Sequence, residues 1–129
     1  MRQIIIVAVG GGIGAVFRYG LGELVHRYSG PLFPWGTLVV NLVGCFLIGI
    51  SWEISNTALV PPQARLFIMT GLLGAFTTFS TFSLETLALI RDGEFRLAVT
   101  NQVASVGLGL LLVLVGVAVV RGNPDQNQQ

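Results

Sequence analysis

The residues best suited to chemistry in this sequence lie in one ten-residue segment, 74–83, which reads GAFTTFSTFS. It holds five hydroxyl side chains and three phenylalanines. A single Ser or Thr in a membrane helix usually bonds to the carbonyl four residues earlier. Five hydroxyl side chains so close together make that explanation less sufficient. Glycine followed by consecutive β-branched threonines also lowers helical preference. We therefore expect a helix break here, whose freed carbonyls are of the kind that binds alkali cations in membrane proteins.

The phenylalanines of this segment recur at every third position, as Phe76, Phe79 and Phe82. In a continuous helix they would share a face, and such a stripe is typical of packing. The alternative uses the aromatic ring edge, which is electropositive and can face an anion without a strong hydrogen-bond donor. The spacing alone leaves both interpretations open.

Two further polar residues, Asn41 and Arg18, lie inside apolar segments. The amide of Asn41 can donate two hydrogen bonds. It either joins neighbouring helices by hydrogen bonding or lines a pore as a donor. Gly44 and Cys45 follow on the same helical face. Arg18 either extends its charge to the membrane interface or places a positive charge near an anion entrance. Ionisable groups at such depth are functional candidates by default.

Four other polar residues are harder to interpret. Ser105, in an otherwise apolar segment, would extend a polar track, whereas Asn101 precedes it with no assigned role. Glu85 is expected to pair with an arginine near the end of its segment. His26 beside Arg27 is typical of a solvated histidine at a membrane edge, because no second metal ligand accompanies it.

The sequence offers no catalytic apparatus. It has no Ser/His/Asp or Cys/His arrangement, no phosphate-binding glycine loop and no deep pair of carboxylates, so we predict that the protein is not an enzyme. The formal charge of +1 includes no block of charge, which excludes a nucleic-acid partner. Cys45 is the only cysteine, so neither an internal disulfide nor a thiolate metal cluster can form.

The elements that must position these residues are membrane helices. The chain is 53% hydrophobic and 10% charged, against about one quarter charged residues in a typical soluble domain. A span needs roughly 20 apolar residues, and four segments qualify: 4–25, 35–52, 66–90 and 97–120. Trp35 and Trp52 bracket the second span, as residues of the interfacial aromatic belts do. We predict one all-α transmembrane domain over residues 1–129, with a broken third helix and a short polar tail from Gly122.

The arginines near the span ends are balanced between the two sides of the membrane. One side is expected to carry Arg2, Arg65 and Arg121, and the other Arg27, Arg91 and Arg96. The imbalance of Lys and Arg between the two sides sets the orientation of a membrane protein. Because the arginines balance here, they favour neither orientation strongly. We hypothesise that copies insert both ways and pair as an antiparallel homodimer; a single orientation with a weak bias is the alternative.

The segment 74–85, together with WGTLVVN at 35–41 and GAVFR at 14–18, closely resembles the Fluc (CrcB) fluoride channels, and the resemblance extends over all four spans. It implies a fluoride-selective channel in the lipid bilayer of the cell inner (plasma) membrane. Such a channel exports cytoplasmic fluoride passively and protects the cell from fluoride toxicity. It also implies a dual-topology antiparallel homodimer with two pores.

The resemblance further implies roles for individual residues. Main-chain carbonyls of Gly74 and Thr77 from each subunit would hold a structural sodium ion at the dimer centre. Asn101 lies where some members carry an aromatic hydroxyl, which leaves its role undecided. The fluoride path would be lined by Asn41, Phe79, Thr81, Phe82 and Ser105, and we add Arg18 to the pore residues from its position in the first span.

Two other function classes compete with the channel. A proton-coupled small multidrug exporter also uses four short helices, but it needs a carboxylate deep in its first span, and Glu23 lies near the end of that span. A non-transporting membrane assembly subunit would use the polar residues only to join helices.

Overall fold

Four long helices make up the computed structural model, which describes residues 1–57 and 59–123. They are α1 (Arg2–Ser29), α2 (Trp35–Thr57), α3 (Pro62–Arg91) and α4 (Phe95–Arg121), and each is long and apolar enough to cross a membrane. The described residues include no strand. The predicted all-α, multi-pass membrane fold is therefore confirmed.

The observed helices contain the four predicted spans and extend past them at one or both ends. This difference arises because helical hydrogen bonding continues through polar interfacial residues that a hydropathy criterion omits. The division into a single domain stays a prediction. The predicted polar tail falls largely on residues 124–129, which lie outside the described part of the chain.

The helices pack in two close pairs, α1 with the first half of α3 and α2 with α4. Glycines make both contacts possible. A Cβ on Gly14 would collide with the backbone of Leu72, and one on Gly49 would collide with the backbone of Val113. Small residues let membrane helices approach this closely, so these glycines serve close helix packing.

Helix α3 is not a continuous α-helix. Its residues Leu66–Leu73 are π-helical, and a short α-helical turn, Gly74–Phe76, follows. Thr77 and Thr78 then adopt extended backbone angles, with φ/ψ of −80°/157° and −147°/120°. The α-helix resumes as Phe79–Arg91. The predicted break in the third span is therefore present, centred on the two threonines.

Polar contacts fix one end of the bundle. Arg121 Nε donates to Glu53 Oε1 at 2.8 Å, and the guanidinium of Arg65 donates to the carbonyl of Ser55. These bonds bring together the end of α2, the start of α3 and the end of α4. Arg65 and Arg121 thus lie on the same side, as the sequence predicted.

Candidate functional site

Thr78 stabilises the break in α3. Its hydroxyl accepts a hydrogen bond from the Thr81 N–H at 3.3 Å, and so caps the second half of the helix. It also donates to Thr81 Oγ1 at 3.1 Å. A threonine at this N-cap position satisfies an N–H that lacks a helical partner, which explains why the helix can restart in the middle of the span.

Asn41 of α2 stabilises the same break from the neighbouring helix. Its Oδ1 accepts from the Thr78 N–H at 2.8 Å, and its Nδ2 donates to the Thr78 carbonyl at 3.0 Å. Unpaired backbone groups at membrane depth are costly, and this one side chain satisfies two of them. The amide carries a second Nδ2 proton. Asn41 thus joins two helices and also retains a donor for the cavity it lines.

The same contacts free two backbone carbonyls. In a continuous α-helix the Thr78 N–H would bond to Gly74 and the Thr81 N–H to Thr77. Here those N–H groups go to Asn41 and to the Thr78 hydroxyl instead. Gly74 is also exposed on the surface of the protomer. The carbonyls named by the sodium prediction are therefore among those that lose their helical partners at the break, so the chemistry of the donor set fits an alkali cation.

A cavity of about 360 Å³ lies against the break, and we call it the break cavity. Among the residues that the structure describes, no charged side chain lines it. Its walls combine apolar groups of α2, α3 and α4 with the polar atoms of the break. Six of the eight residues predicted from the sequence meet here: Asn41, Gly74, Thr77, Phe79, Phe82 and Ser105.

The three phenylalanines lie on both sides of the break, so their spacing of three residues does not place them on one helical face. Phe76 ends the first half of α3 and packs against Gly44, 6% exposed. Phe79 and Phe82 follow the break, with ring centroids 5.6 Å apart and planes tilted by 52°. The shared face that a continuous helix would give is absent, because the extended threonines interrupt the helical period between Phe76 and Phe79. Only Phe79 and Phe82 line the break cavity.

A second cavity, of about 410 Å³, contains the other two predicted residues, Arg18 and Thr81. We call it the vestibule. It is rich in ionisable groups, since Glu23, His26 and Glu85 also line it. Thr78 borders both cavities. The threonine that shapes the break therefore separates a charged vestibule from an uncharged cavity.

Glu85 has a different partner from the one expected. Its Oε1 accepts from Thr37 Oγ1 at 2.7 Å, whereas its Oε2 is buried with no hydrogen-bond partner among the described residues. The predicted pairing with an arginine was wrong, because the side chain turns towards α2 across the vestibule. Sequence reasoning could not find Thr37, since its partner is 48 residues away.

Sequence reasoning also missed the separate role of Thr78. The available signal was its position directly before a new helical segment, with a further hydroxyl at Thr81, because Ser and Thr are preferred N-caps. Its pairing with Asn41 carried no such local signal.

Comparisons with known proteins bear on this site. Residues 5–117 match the family model described as "CrcB-like protein, Camphor Resistance (CrcB)". A protein of Rhizobium leguminosarum bv. trifolii named "Fluoride-specific ion channel FluC" is 48% identical over 94% of this chain and 98% of its own length. Proteins of the same name from Thermus thermophilus and Salinibacter ruber are 47% and 46% identical, each over 90% of this chain and over 93% and 87% of their own lengths.

These relatives are named as ion channels, not as enzymes. The family match covers all three segments that carry the resemblance, 14–18, 35–41 and 74–85. The chain therefore belongs to the CrcB family, as those segments predicted.

Proposed function

We propose that this protein is a fluoride-selective ion channel of the inner (plasma) membrane. It exports cytoplasmic fluoride passively down its electrochemical gradient and so protects the cell from fluoride toxicity. The observation that carries the proposal is the break cavity. Aromatic rings, an amide and a hydroxyl meet there at a helix break, and no charged side chain of residues 1–57 or 59–123 lines the space. The names of the relatives support the same activity.

The break cavity suits a small, strongly hydrated anion. A conducting site must replace part of the ion's hydration and still release it. Ring edges of Phe79 and Phe82 and the spare Nδ2 proton of Asn41 offer weak, convergent positive charge. A cationic side chain that touched the anion directly would hold it too strongly inside this cavity. Arg18 and Thr81 lie outside it, in the vestibule, where a positive charge attracts anions without trapping them.

The exposure of the break supports an antiparallel homodimer. Phe79 is 78% exposed in the single protomer, and the following Ser80 is exposed as well. Broken backbone at membrane depth is tolerated only when protein covers it or it lines a polar cavity. A second copy of the chain is the proposed cover, and the balanced arginines favour opposite orientations. One break cavity in each protomer gives two pores in the pair.

A structural sodium ion is proposed where the breaks of the two copies meet. The carbonyls of Gly74 and Thr77 from each subunit would hold it, because both lose their helical partners to the Thr78 contacts. When bound, the ion supplies a positive charge that offsets part of the cost of placing anions at low dielectric.

Reconstitution of the purified protein into liposomes tests the proposal. The expected result is rapid fluoride efflux with little chloride efflux, in the absence of any proton gradient. Proton-dependent uptake of an organic cation would identify an exporter instead, and silence for every ion would leave a non-transporting subunit. Either of these outcomes overturns the channel assignment.

A further inference from the structure

Asn101 of α4 is buried between two hydroxyl side chains. It is 1% exposed. Its Nδ2 donates to Thr86 Oγ1 at 3.0 Å, and its Oδ1 accepts from the Ser105 hydroxyl at 3.5 Å. Thr86 in turn donates to the Phe82 carbonyl at 2.9 Å. The side chains of Thr86, Asn101 and Ser105 thus form a hydrogen-bond chain that begins at the Phe82 carbonyl. Phe82 and Ser105 both line the break cavity.

The bond from Thr86 to the Phe82 carbonyl determines which group donates in each of the other hydrogen bonds. Thr86 has one hydroxyl proton, and the Phe82 carbonyl, which can only accept, takes it. The Thr86 oxygen therefore faces Asn101 as an acceptor, so Asn101 must present its NH₂ group there. That orientation turns the amide oxygen towards Ser105, and Ser105 must donate to it.

This order leaves Ser105 facing the cavity with its lone pairs. Its single proton points to Asn101, and a lone pair repels an anion. At 3.5 Å the bond lies at the long limit of hydrogen bonding, so the hydroxyl is weakly held. The proton can rotate to a stronger acceptor that arrives in the cavity.

We propose that Asn101 is a positioning residue that holds the Ser105 proton when the adjacent part of the break cavity contains no anion. Ser105 then donates in turn to Asn101 and to a passing fluoride ion. The inference rests on the proposed function of the break cavity as the fluoride path. Neither the family match nor the names of the relatives assigns such a role to Asn101.

The physical consequence concerns release of the ion. Without Asn101 the Ser105 hydroxyl would lack its side-chain acceptor after fluoride leaves, and leaving a half-buried donor without that partner is costly. That cost would tighten fluoride binding. With Asn101 the donor is satisfied in both states, so fluoride must compete with the amide oxygen and leaves more easily. Conduction needs such weak binding.

The test measures fluoride flux in liposomes as a function of fluoride concentration for Asn101→Leu, which removes the acceptor at similar volume. The expected result is a half-saturating concentration lowered about three- to tenfold, the size of one lost hydrogen-bond competition, together with a lower maximal flux. A purely structural role would lower the maximal flux and leave the half-saturating concentration unchanged.

Two further variants make the test specific. Thr86→Val removes the acceptor that orients the Asn101 amide, so the amide oxygen is no longer fixed beside Ser105 and the half-saturating concentration should fall in the same direction as in Asn101→Leu. In a Ser105→Ala background, Asn101→Leu should cause no further shift. If Asn101→Leu does not yield folded protein, Asn101→Ala removes the same acceptor with a smaller side chain.

The proposal is overturned if Asn101→Leu or Asn101→Ala conducts with an unchanged half-saturating concentration, or if the shift persists without Ser105. A wild-type protein that conducts no fluoride would instead overturn the proposed function itself, so the two failures are distinguishable.

Discussion

Asn41 forms two hydrogen bonds with the backbone of Thr78, from the Thr78 N–H to Oδ1 at 2.8 Å and from Nδ2 to the Thr78 carbonyl at 3.0 Å. The side chain thereby takes the place of a neighbouring strand for one extended residue in the middle of a membrane helix. This relationship connects α2 to the break and leaves the Gly74 carbonyl without its helical partner.

Asn41→Asp should abolish fluoride flux. The carboxylate still accepts from the Thr78 N–H, but it cannot donate to the Thr78 carbonyl and it places negative charge beside the anion path. Leaving that carbonyl unsatisfied costs about 1–3 kcal/mol, which the dimer should survive. Liposome efflux and size-exclusion chromatography measure the two quantities. Ser51→Ala is the control on the same helix, because its hydroxyl bonds only to the Leu47 carbonyl. Wild-type flux in Asn41→Asp would refute the role of Asn41.

Phe79→Ile should also abolish fluoride flux while the dimer persists. Isoleucine retains an apolar side chain but lacks the electropositive ring edge that faces the anion. Phe17→Ile is the matched control, because Phe17 is also exposed, at 61%, and lines no described cavity. The comparison uses fluoride efflux under identical conditions, and equal flux in the two variants would count against an aromatic contribution.

Gly44→Ala should reduce flux strongly. A Cβ at this position would overlap the methyl group of Thr77, so the break must shift away from α2. Overpacking of this kind costs about 1–3 kcal/mol and would pull Thr78 from Asn41. Gly12→Ala is the control, since nothing lies within 4 Å of its added Cβ. Thermal unfolding and efflux of both variants test the prediction, and a fully active, equally stable Gly44→Ala would contradict it.

Sodium should stabilise the purified protein. Because the ligands are main-chain carbonyls, ion replacement is more informative than side-chain removal. The Tm should rise with sodium concentration, as expected for a ligand that binds only the folded state, and N-methylglucamine should not replace it. In Asn41→Leu the Thr78 N–H is free to return to the Gly74 carbonyl, so the sodium effect should disappear. A wild-type Tm that is independent of sodium would contradict the proposed site.

Labelling of sealed vesicles should detect both orientations of the chain. In a Cys45→Ala background, single cysteines replace Tyr28 at the end of α1 and Leu59 in the loop after α2, which are 86% and 106% exposed and lie on opposite sides. An impermeant thiol reagent should label about half of the protein at each position, because balanced arginines set no preference. Complete labelling at one position and none at the other would establish a single orientation.

Several features of the site followed from local sequence. The break was predictable because glycine, threonines and clustered hydroxyls in 74–83 weaken a helix wherever they occur. The four spans followed from length and hydropathy alone, and the resemblance of three segments indicated the family. The three phenylalanines do not share one helical face for the same local reason, since the break divides the set and its exact position depends on Thr78.

Long-range pairing was decided only by tertiary structure. The hydrogen-bonded residues Asn41 and Thr78 are 37 residues apart in the sequence. Thr37 and Glu85 are 48 residues apart, and Thr86 and Asn101 are 15 residues apart. No local pattern encodes which polar groups meet, because each pair depends on how closely glycines such as Gly14 and Gly44 allow the helices to approach. The sequence by itself determined which groups at membrane depth needed partners, and the packing of the helices determined which partners they found.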